Sequence, residues 1–586
     1  MRLSTFLFSF IALLPALKHS HFPAFTGTIA AKAGVFRSSS SPAPSTIPLP
    51  LHEPVPALIP DTGFLPESNY QFPAAGTLST NIITTVPTFH NMSLYWKPSE
   101  GSSTREALVR YRVKGTVNWS QAQSLWFDDR TADSIGNNIE RSKEYRGSIV
   151  NLHSGTIYEI ELFLEGVNRV AATTAATMNE NFPIAKTVML PASSDSTLVI
   201  SEGGNASGYV LYTGPAGATI DVANTRMYTV DIRASYVIVK GLNIKGAQSK
   251  GIRIAPGLSD IVIDGNDISG WGRMASDGGA LHDEMGIGSD NVDFSHVKRI
   301  IIQNNKIHHP RYGSNSWKEY RTFLATYHPI GTNAIGFYAD DGQLIIRNNQ
   351  IYSSTGQYFM DCIGGSENFA FNSGSPGPDS DIYDNKISNC WDDAIESEGM
   401  NQNVRVFNNF IDQCFVAHGV SATSVGPLYV YRNITNRLQR SHELSLNSGY
   451  WFKSQGKIAF GGRVYVYHNT MLTIQNEGGI SDVGATLSNT ISRNNILRSA
   501  KNAVIDLKSD PQTSCDYDLV DGNITTINQG HEKHAIFTVP QFDMSAPVQS
   551  RGLLPHSPGQ DSGAIRIPNF NDNFKGKAPD MGAVEN

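Results

Sequence analysis

The sequence predicts an all-β chain in which a small antiparallel β-sandwich precedes a long solenoid of short stacked strands. Three observations carry that expectation. A β-branched strand followed by Asn-x-Ile, or a close variant, recurs along the C-terminal two-thirds of the chain. Period-2 alternation broken by turn residues fills about 81–182. Charged residues are only 17% of the 586, below the ~25% of an average globular protein, while 40% are hydrophobic.

That composition excludes a disordered polyelectrolyte, which needs low hydrophobicity and high net charge. The net charge of −7 comes from 53 acidic against 46 basic residues and offers no basic face for nucleic acid. No apolar run reaches the ~18 residues of a bilayer-spanning helix. Arg2 followed by the apolar stretch Phe6 to Leu17 has the length of a secretory h-region, so 1–36 reads as an export segment. A small-x-small site at Ala31-Lys32-Ala33 lies far from the end of that stretch, and a disordered N-terminal extension is the alternative. Export implies a secreted, periplasmic or extracellular protein. Residues 37–80 read as a linker, Ser/Pro-rich and extended over 37–60. Four cysteines in so long a chain make neither a disulfide scaffold nor a zinc pattern. Asn-x-Ser/Thr sequons occur at Asn91, Asn118, Asn205, Asn433 and Asn523.

In the sandwich segment Leu94 and Trp96 share a face, as do Val109, Tyr111 and Val113. Tyr158, Ile160, Leu162 and Leu164 alternate with Glu159, Glu161 and Phe163. Alternation at this spacing indicates about 100 residues of antiparallel β-sandwich. The run Leu152-His153-Ser154-Gly155-Thr156-Ile157-Tyr158 resembles the tyrosine corner of fibronectin type III domains, and Trp96 sits where those domains carry an early core tryptophan. The resemblance implies a tyrosine hydroxyl bonded to the upstream backbone. Such a module is expected to be a spacer rather than a carbohydrate-binding unit.

The repeat fills 183–586. The asparagines are Asn243, Asn266, Asn305, Asn349, Asn385, Asn409, Asn433, Asn469 and Asn495, with intervals of 23, 39, 44, 36, 24, 24, 36 and 26 residues. A base period near 24 with insertions is a solenoid signature: one coil cannot bury its apolar side chains, but stacked coils bury them as continuous ladders. Asparagine tolerates left-handed bends between strands, and its amide can bond the same amide one coil away. Cys390 and Cys414 each lie five residues beyond their coil's asparagine and should stack, either as free thiols or, at ~4.8 Å strand spacing, as a disulfide. The layout resembles the right-handed parallel β-helix family of carbohydrate-active proteins, down to a closing Ala578-Pro579-Asp580-Met581-Gly582-Ala583-Val584-Glu585. That resemblance implies a groove for an extended polysaccharide.

Insertions at 266–305, 305–349 and 433–469 should form loops walling one face. The first two carry Trp271, His282, Asp283, Glu284, His308, His309, Tyr312, Trp317, Tyr320, Tyr327 and His328, which either stack on sugar rings or pack the loops onto the solenoid. Tyr338 and His418 lie on coil strands and join Trp317 as candidate substrate contacts. Acidic residues gather on the second strand of consecutive coils. With Ile395 inward, alternation turns Glu396 and Glu398 outward. Aligning Met360 with Ile395 places Asp361 in register with Glu396, and Ser421 one coil on. Asp340, Asp341, Asp379, Asp381, Asp392 and Asp393 lie nearby in sequence. Carboxylates this close cannot all ionise, so one becomes a proton donor at neutral pH. That is what glycoside hydrolysis requires. The arrangement is similar to the aspartate cluster of β-helical polygalacturonase-type hydrolases, although their Asn-Thr-Asp and Gly-His-Gly elements are absent.

The first expectation is therefore a hydrolase using Glu396 and Asp361, with Asp393, Glu398, Asp340 and Asp341 in support and no cofactor. The second is a polysaccharide lyase. β-Helical lyases use calcium, a hard cation that prefers oxygen ligands, and a basic residue that removes a proton beside a uronic carboxylate. Arg432, Arg437, Arg440, His442, Lys453 and Lys457 are the basic candidates, their alternative being a solvated surface. The third is a glycan-binding adhesin without turnover.

Overall fold

The computed structural model describes Thr77, Leu78 and residues 82–586, except 131–142, 167–168, 275–283, 291–294, 316–330, 355–356, 366–370, 421–422, 424, 439–448, 455–460, 475–478, 482–486, 501, 505–511, 524–529 and 563. The export segment and nearly all of the linker thus lie outside the described residues. Among them, no helix is long and apolar enough to cross a membrane.

From Thr84–Pro87 to Arg169–Ala176 the chain forms two antiparallel sheets that share the strand Ser120–Asp128. Alternation turns Leu94, Trp96, Val109, Tyr145, Ile160 and Leu162 into one common core. The Tyr158 hydroxyl accepts the His153 N–H at 2.8 Å, the upstream backbone bond expected of it.

The rest is a parallel β-helix. Each coil contributes one strand to each of three parallel sheets. The first runs from Ile184–Met189 to Ser514–Cys515, the second from Ser193–Ser194 to Ile536–Phe537, and the third from Leu198–Ile200 to Ile480–Ser481. Inward rows are continuous, as solenoid burial demands. Ile263, Ile302, Ile346, Ile382, Val406 and Val430 stack in the first sheet. Ile244, Ile268, Ile307, Ile351, Ile387 and Ile411 stack in the second.

The asparagines do form a ladder at the corner between the first two sheets. From Asn266 to Asn469, each backbone N–H donates to the carboxamide oxygen of the next coil at 2.8–3.1 Å. The amide nitrogen bonds the same oxygen and a first-sheet carbonyl. Two details differ from the sequence expectation. Asn243 begins a second-sheet strand opposite Asp267, and Leu242 occupies the ladder position, donating its N–H to Asn266. At the other end Asp518 takes the place of an asparagine. The left-handed residue is the one before each ladder position: Asn304, Asn348, Asp384, Asn408, Arg432, His468 and Asn494, at φ of +51 to +61°.

The sandwich packs on the outer face of the first sheet, where Phe89 and Val150 join Ile238, Val262, Ile301, Ile345, Tyr383 and Phe407. Arg405 and Asp381, both fully buried, form a 2.5 Å ion pair in that interface. Arg405 also donates to Ser93 and Ser148, Asn91 donates to Asp381, and the Tyr95 hydroxyl donates to Asp379 at 2.6 Å. The sandwich thus covers the outer face of the first sheet's middle coils, while the opening strand Ile184–Met189 stays exposed.

The cysteine expectation needs correction. Cys362 and Cys390 form a disulfide across adjacent coils, and Cys414 is a buried free thiol 3.2 Å from Cys390. The stacking of Cys390 and Cys414 is as expected, but Cys362 lies on the other side of Cys390 and takes it.

Candidate active site

The third sheet sets the register of the acidic residues. Its inward row is Ile287, Ile335, Ile363, Ile395, His418 and Phe452. Ile363, not Met360, pairs with Ile395, so Asp361 is in register with Asp393 rather than Glu396. The Asp393 N–H donates to Asp361 Oδ1 at 3.0 Å. Glu396 stands between Gly364 and Gly419 in its row, with Lys453 one coil further. The expected neighbour Ser421 lies outside the described residues.

Both glycines are needed for close approach. A Cβ on Gly364 would stand 2.8 Å from Glu396 Oε2, and one on Gly419 would stand 2.2 Å from Asp393 Oδ2. The carboxylates can therefore lie flat on the sheet. Asp393, Glu396 and Glu398 each bring an oxygen within 4.8 Å of the others, all three buried. Lys453 enters from the next-but-one coil, its Nζ 2.6 Å from Asp393 Oδ2 and 3.8 Å from Glu398 Oε1. The Gly365 N–H donates to Glu396 Oε2 at 3.1 Å. Gly374–Ser375 pairs antiparallel with Glu398–Gly399, so part of the intervening segment folds back to wall the cluster.

Electrostatics follow from crowding. Burial pushes the Glu396 carboxyl well above the usual carboxylate range, and Glu398, Asp361 and Asp393 push it further. Burial likewise raises Asp393, against the pull of Lys453. For Lys453 burial favours the neutral amine, but Asp393, Asp392, Glu398 and Glu396 outweigh it and hold an ammonium. Five carboxyl groups thus face one ammonium. The excess negative charge is relieved either by protons or by a cation. Asp393 Oδ1, on a fully buried residue, has no hydrogen-bond partner. An all-oxygen donor set with an orphaned carboxylate oxygen fits calcium.

The sequence matches no family model and no curated protein. Among solved structures it is similar to the crystal structure of pectate lyase Pel9A, at 13% identity and a TM-score of 0.34, over 70% of this chain and 91% of that one. It is also similar to the catalytic unit of a thermostable GH87 alpha-1,3-glucanase from Streptomyces thermodiastaticus strain HF3-3. There the identity is 10% and the TM-score 0.23, over 77% of this chain and 90% of that one. Likenesses this distant assign no role to any residue here.

The other candidates separate from the cluster. Asp340 is a turn cap whose carboxylate accepts the N–H groups of Gly342 and Gly377; burial raises it to about 7. Asp341 pairs with His296 on an exposed turn. Asp379 and Asp381 are under the sandwich. His418 points into the solenoid between Ile395 and Phe452 and contacts no groove. Tyr338 is buried, its backbone N–H 3.4 Å from Ser289 Oγ. Arg437 pairs with Asp412 on the neighbouring coil, and Arg432 donates to the carbonyls of Phe570 and Ala583. Trp271 is a core plug, stacked on Phe359 with its indole N–H on the Asn333 carbonyl. Glu284 is buried against Arg273. Trp317, Arg440, His442, Lys457, His282, Asp283, Tyr320, Tyr327 and His328 lie outside the described residues.

Sequence reasoning named Lys453 only as one basic residue of six and gave Gly364 and Gly419 no role. The available signal was a strand-end glycine beside each acidic strand, in Ile363-Gly364-Gly365 and His418-Gly419.

Proposed function

We infer that the chain is a polysaccharide lyase acting on a uronate polymer, with Lys453 as the base. The observation that carries this reading is the Lys453 amine set into the carboxylate cluster, 2.6 Å from Asp393. A hydrolase needs one carboxyl to give a proton while a second stays free to act, separated by ~5–5.5 Å or ~6.5–9.5 Å. Here Asp361 stands opposite Asp393, crowded against Glu396 closely enough to raise the Glu396 carboxyl, and Asp393 is paired with an ammonium. A lysine nitrogen 2.6 Å from Asp393, beside the close-set oxygens of Asp393, Glu396 and Glu398, supports a lysine base next to a cation site instead.

In β-elimination the base takes the proton from the carbon bearing the uronic carboxylate. The electron pair forms the new C=C bond, and the glycosidic C–O bond on the next carbon breaks. The leaving oxygen is then protonated from water. Lys453 Nζ would receive the carbon-bound proton as the free amine, so the ammonium that the surrounding carboxylates hold must first give up its proton to solvent, and occupation of those carboxylates by a cation would favour that loss. Asp393, Glu396 and Glu398 would hold calcium, which when bound supplies positive charge for the uronic carboxylate and so acidifies the neighbouring C–H. Gly364 and Gly419 keep those acids low against the sheet. Export belongs to the same reading, supported by the Phe6–Leu17 segment, because a polymer of this kind is met outside the cell.

The test incubates the full chain with neutral and uronic polysaccharides, following new reducing ends together with the ultraviolet absorbance of an unsaturated uronate. Both signals on a uronate polymer are expected, lost with chelator and restored by calcium. Lys453→Ala should lower the rate by ~10²–10⁴-fold, the range of a lost general base. Reducing ends without absorbance, indifferent to chelator, would return the assignment to a Glu396-centred hydrolase. Glycan binding without product would make it an adhesin.

A further inference from the structure

Away from the carboxylate cluster, at the end of the second-sheet strand Lys306–His308, two imidazoles face each other. Their Nδ1 atoms, on His308 and His309, lie 2.8 Å apart. On its other side His308 Nε2 is 2.9 Å from Asp267 Oδ1. The His308 ring lies flat on Tyr352, with centroids 5.0 Å apart at 14°. His309 adopts φ +47°, which turns consecutive side chains toward one another instead of to opposite faces. Side-chain exposure is 18% for His308, and His309 is half-buried, so solvent reaches the pair.

We propose that His308 and His309 chelate a divalent transition metal, with Asp267 orienting His308. Asp267 accepts the His308 Nε2–H and so leaves the lone pair on Nδ1, which faces His309. This is the carboxylate–histidine–metal arrangement that fixes ring orientation and tautomer. In the metal-free pair one proton, that of His309 Nδ1, sits between the two Nδ1 atoms; on metal binding it leaves to solvent while His309 Nε2 takes one up, so His309 stays neutral and both Nδ1 lone pairs are free for the ion. For a pair of imidazole nitrogens the intrinsic affinity order of divalent first-row metals places Cu(II) above both Ni(II) and Zn(II), so cupric ion is expected to bind tightest. Water completes the coordination. The site is independent of any reaction at Lys453.

Titration of the full chain with cupric ion, read by calorimetry and by electron paramagnetic resonance, tests the proposal. One equivalent should bind with a two-nitrogen signature, and zinc should bind more weakly. His308→Ala and His309→Ala should each weaken that equivalent at least ~10-fold, and Asp267→Asn ~10-fold, with melting temperatures unchanged. His309→Gln serves should either alanine variant fail to fold. No tight equivalent in the wild type, or unchanged affinity in the histidine variants, would overturn the chelate. Loss on only one of the two would leave a lone histidine and sink it equally.

Discussion

His418 is the residue on which sequence and structure part most clearly. Its neighbour Gly419 is an outward position beside the acids, but His418 itself occupies an inward row between Ile395 and Phe452. Its Nε2 is buried without a partner, and burial lowers its pKa to about 3. The unfolded chain therefore binds a proton at pH values where the folded one does not. Stability is lost as pH falls from ~6.5, the unfolded value, toward about 3. His418→Leu should stabilise by ~1–3 kcal/mol at neutral pH, because it removes an unsatisfied buried nitrogen. That gain should widen on acidification through this window, as denaturant unfolding at pH 5 and pH 8 would measure, with activity unchanged. Burial also sorts the sequons: Asn91 and Asn433 are buried, the latter inside the asparagine ladder, while Asn118, Asn205 and Asn523 are exposed.

At the scale of the element, the asparagine ladder explains how coils of unequal length keep one register. Insertions leave at other corners, and this corner is closed by amides with both donors and the acceptor engaged. Asn409 accepts from the Asn385 N–H and amide while donating to Asn433 and the Ile382 carbonyl. Asn409→Ala would leave two buried donors unpartnered and should cost at least about 3 kcal/mol. Asn266→Ala should cost less, because the coil before it already ends the ladder with Leu242. Comparing the two variants by chemical denaturation checks the gradient. The ladder was legible because the strand-then-Asn-x-Ile motif survives insertions that stretch the interval from 23 to 44 residues. Its exact ends were not, because Asn243 matches the motif yet sits one residue out of phase.

At the scale of the molecule, the sandwich is bound to the solenoid and is no detached spacer. Arg405, on the first sheet, reaches Ser93 and Ser148 of the sandwich while paired with Asp381, and Asn569 near the C-terminus bonds Val150 and Tyr111. Arg405→Ala would leave Asp381 buried and unpaired, a loss of ~3–5 kcal/mol. Because both modules share that interface, calorimetry should show one cooperative transition in the wild type, displaced to lower temperature in the variant. Two separated transitions in the wild type would contradict a shared fold.

Composition and periodicity by themselves determined the all-β class, the stacked coils, the sandwich ahead of them and the strand on which the acids sit. Those are local properties: alternation and β-branching decide which way a side chain faces and how often a strand recurs. Tertiary structure alone decided the partners. Whether Ile363 or Met360 pairs with Ile395 decides whether Gly364 or Asp361 stands opposite Glu396, and a parallel ladder takes its register from corners and packing that no single strand encodes. The same registration set Cys362 against Cys390, brought Lys453 over Asp393, turned His418 inward and placed Asp379 and Asp381 under the sandwich. Pairings across coils and modules depend on how the chain stacks, and that is settled only when the whole solenoid closes its rows.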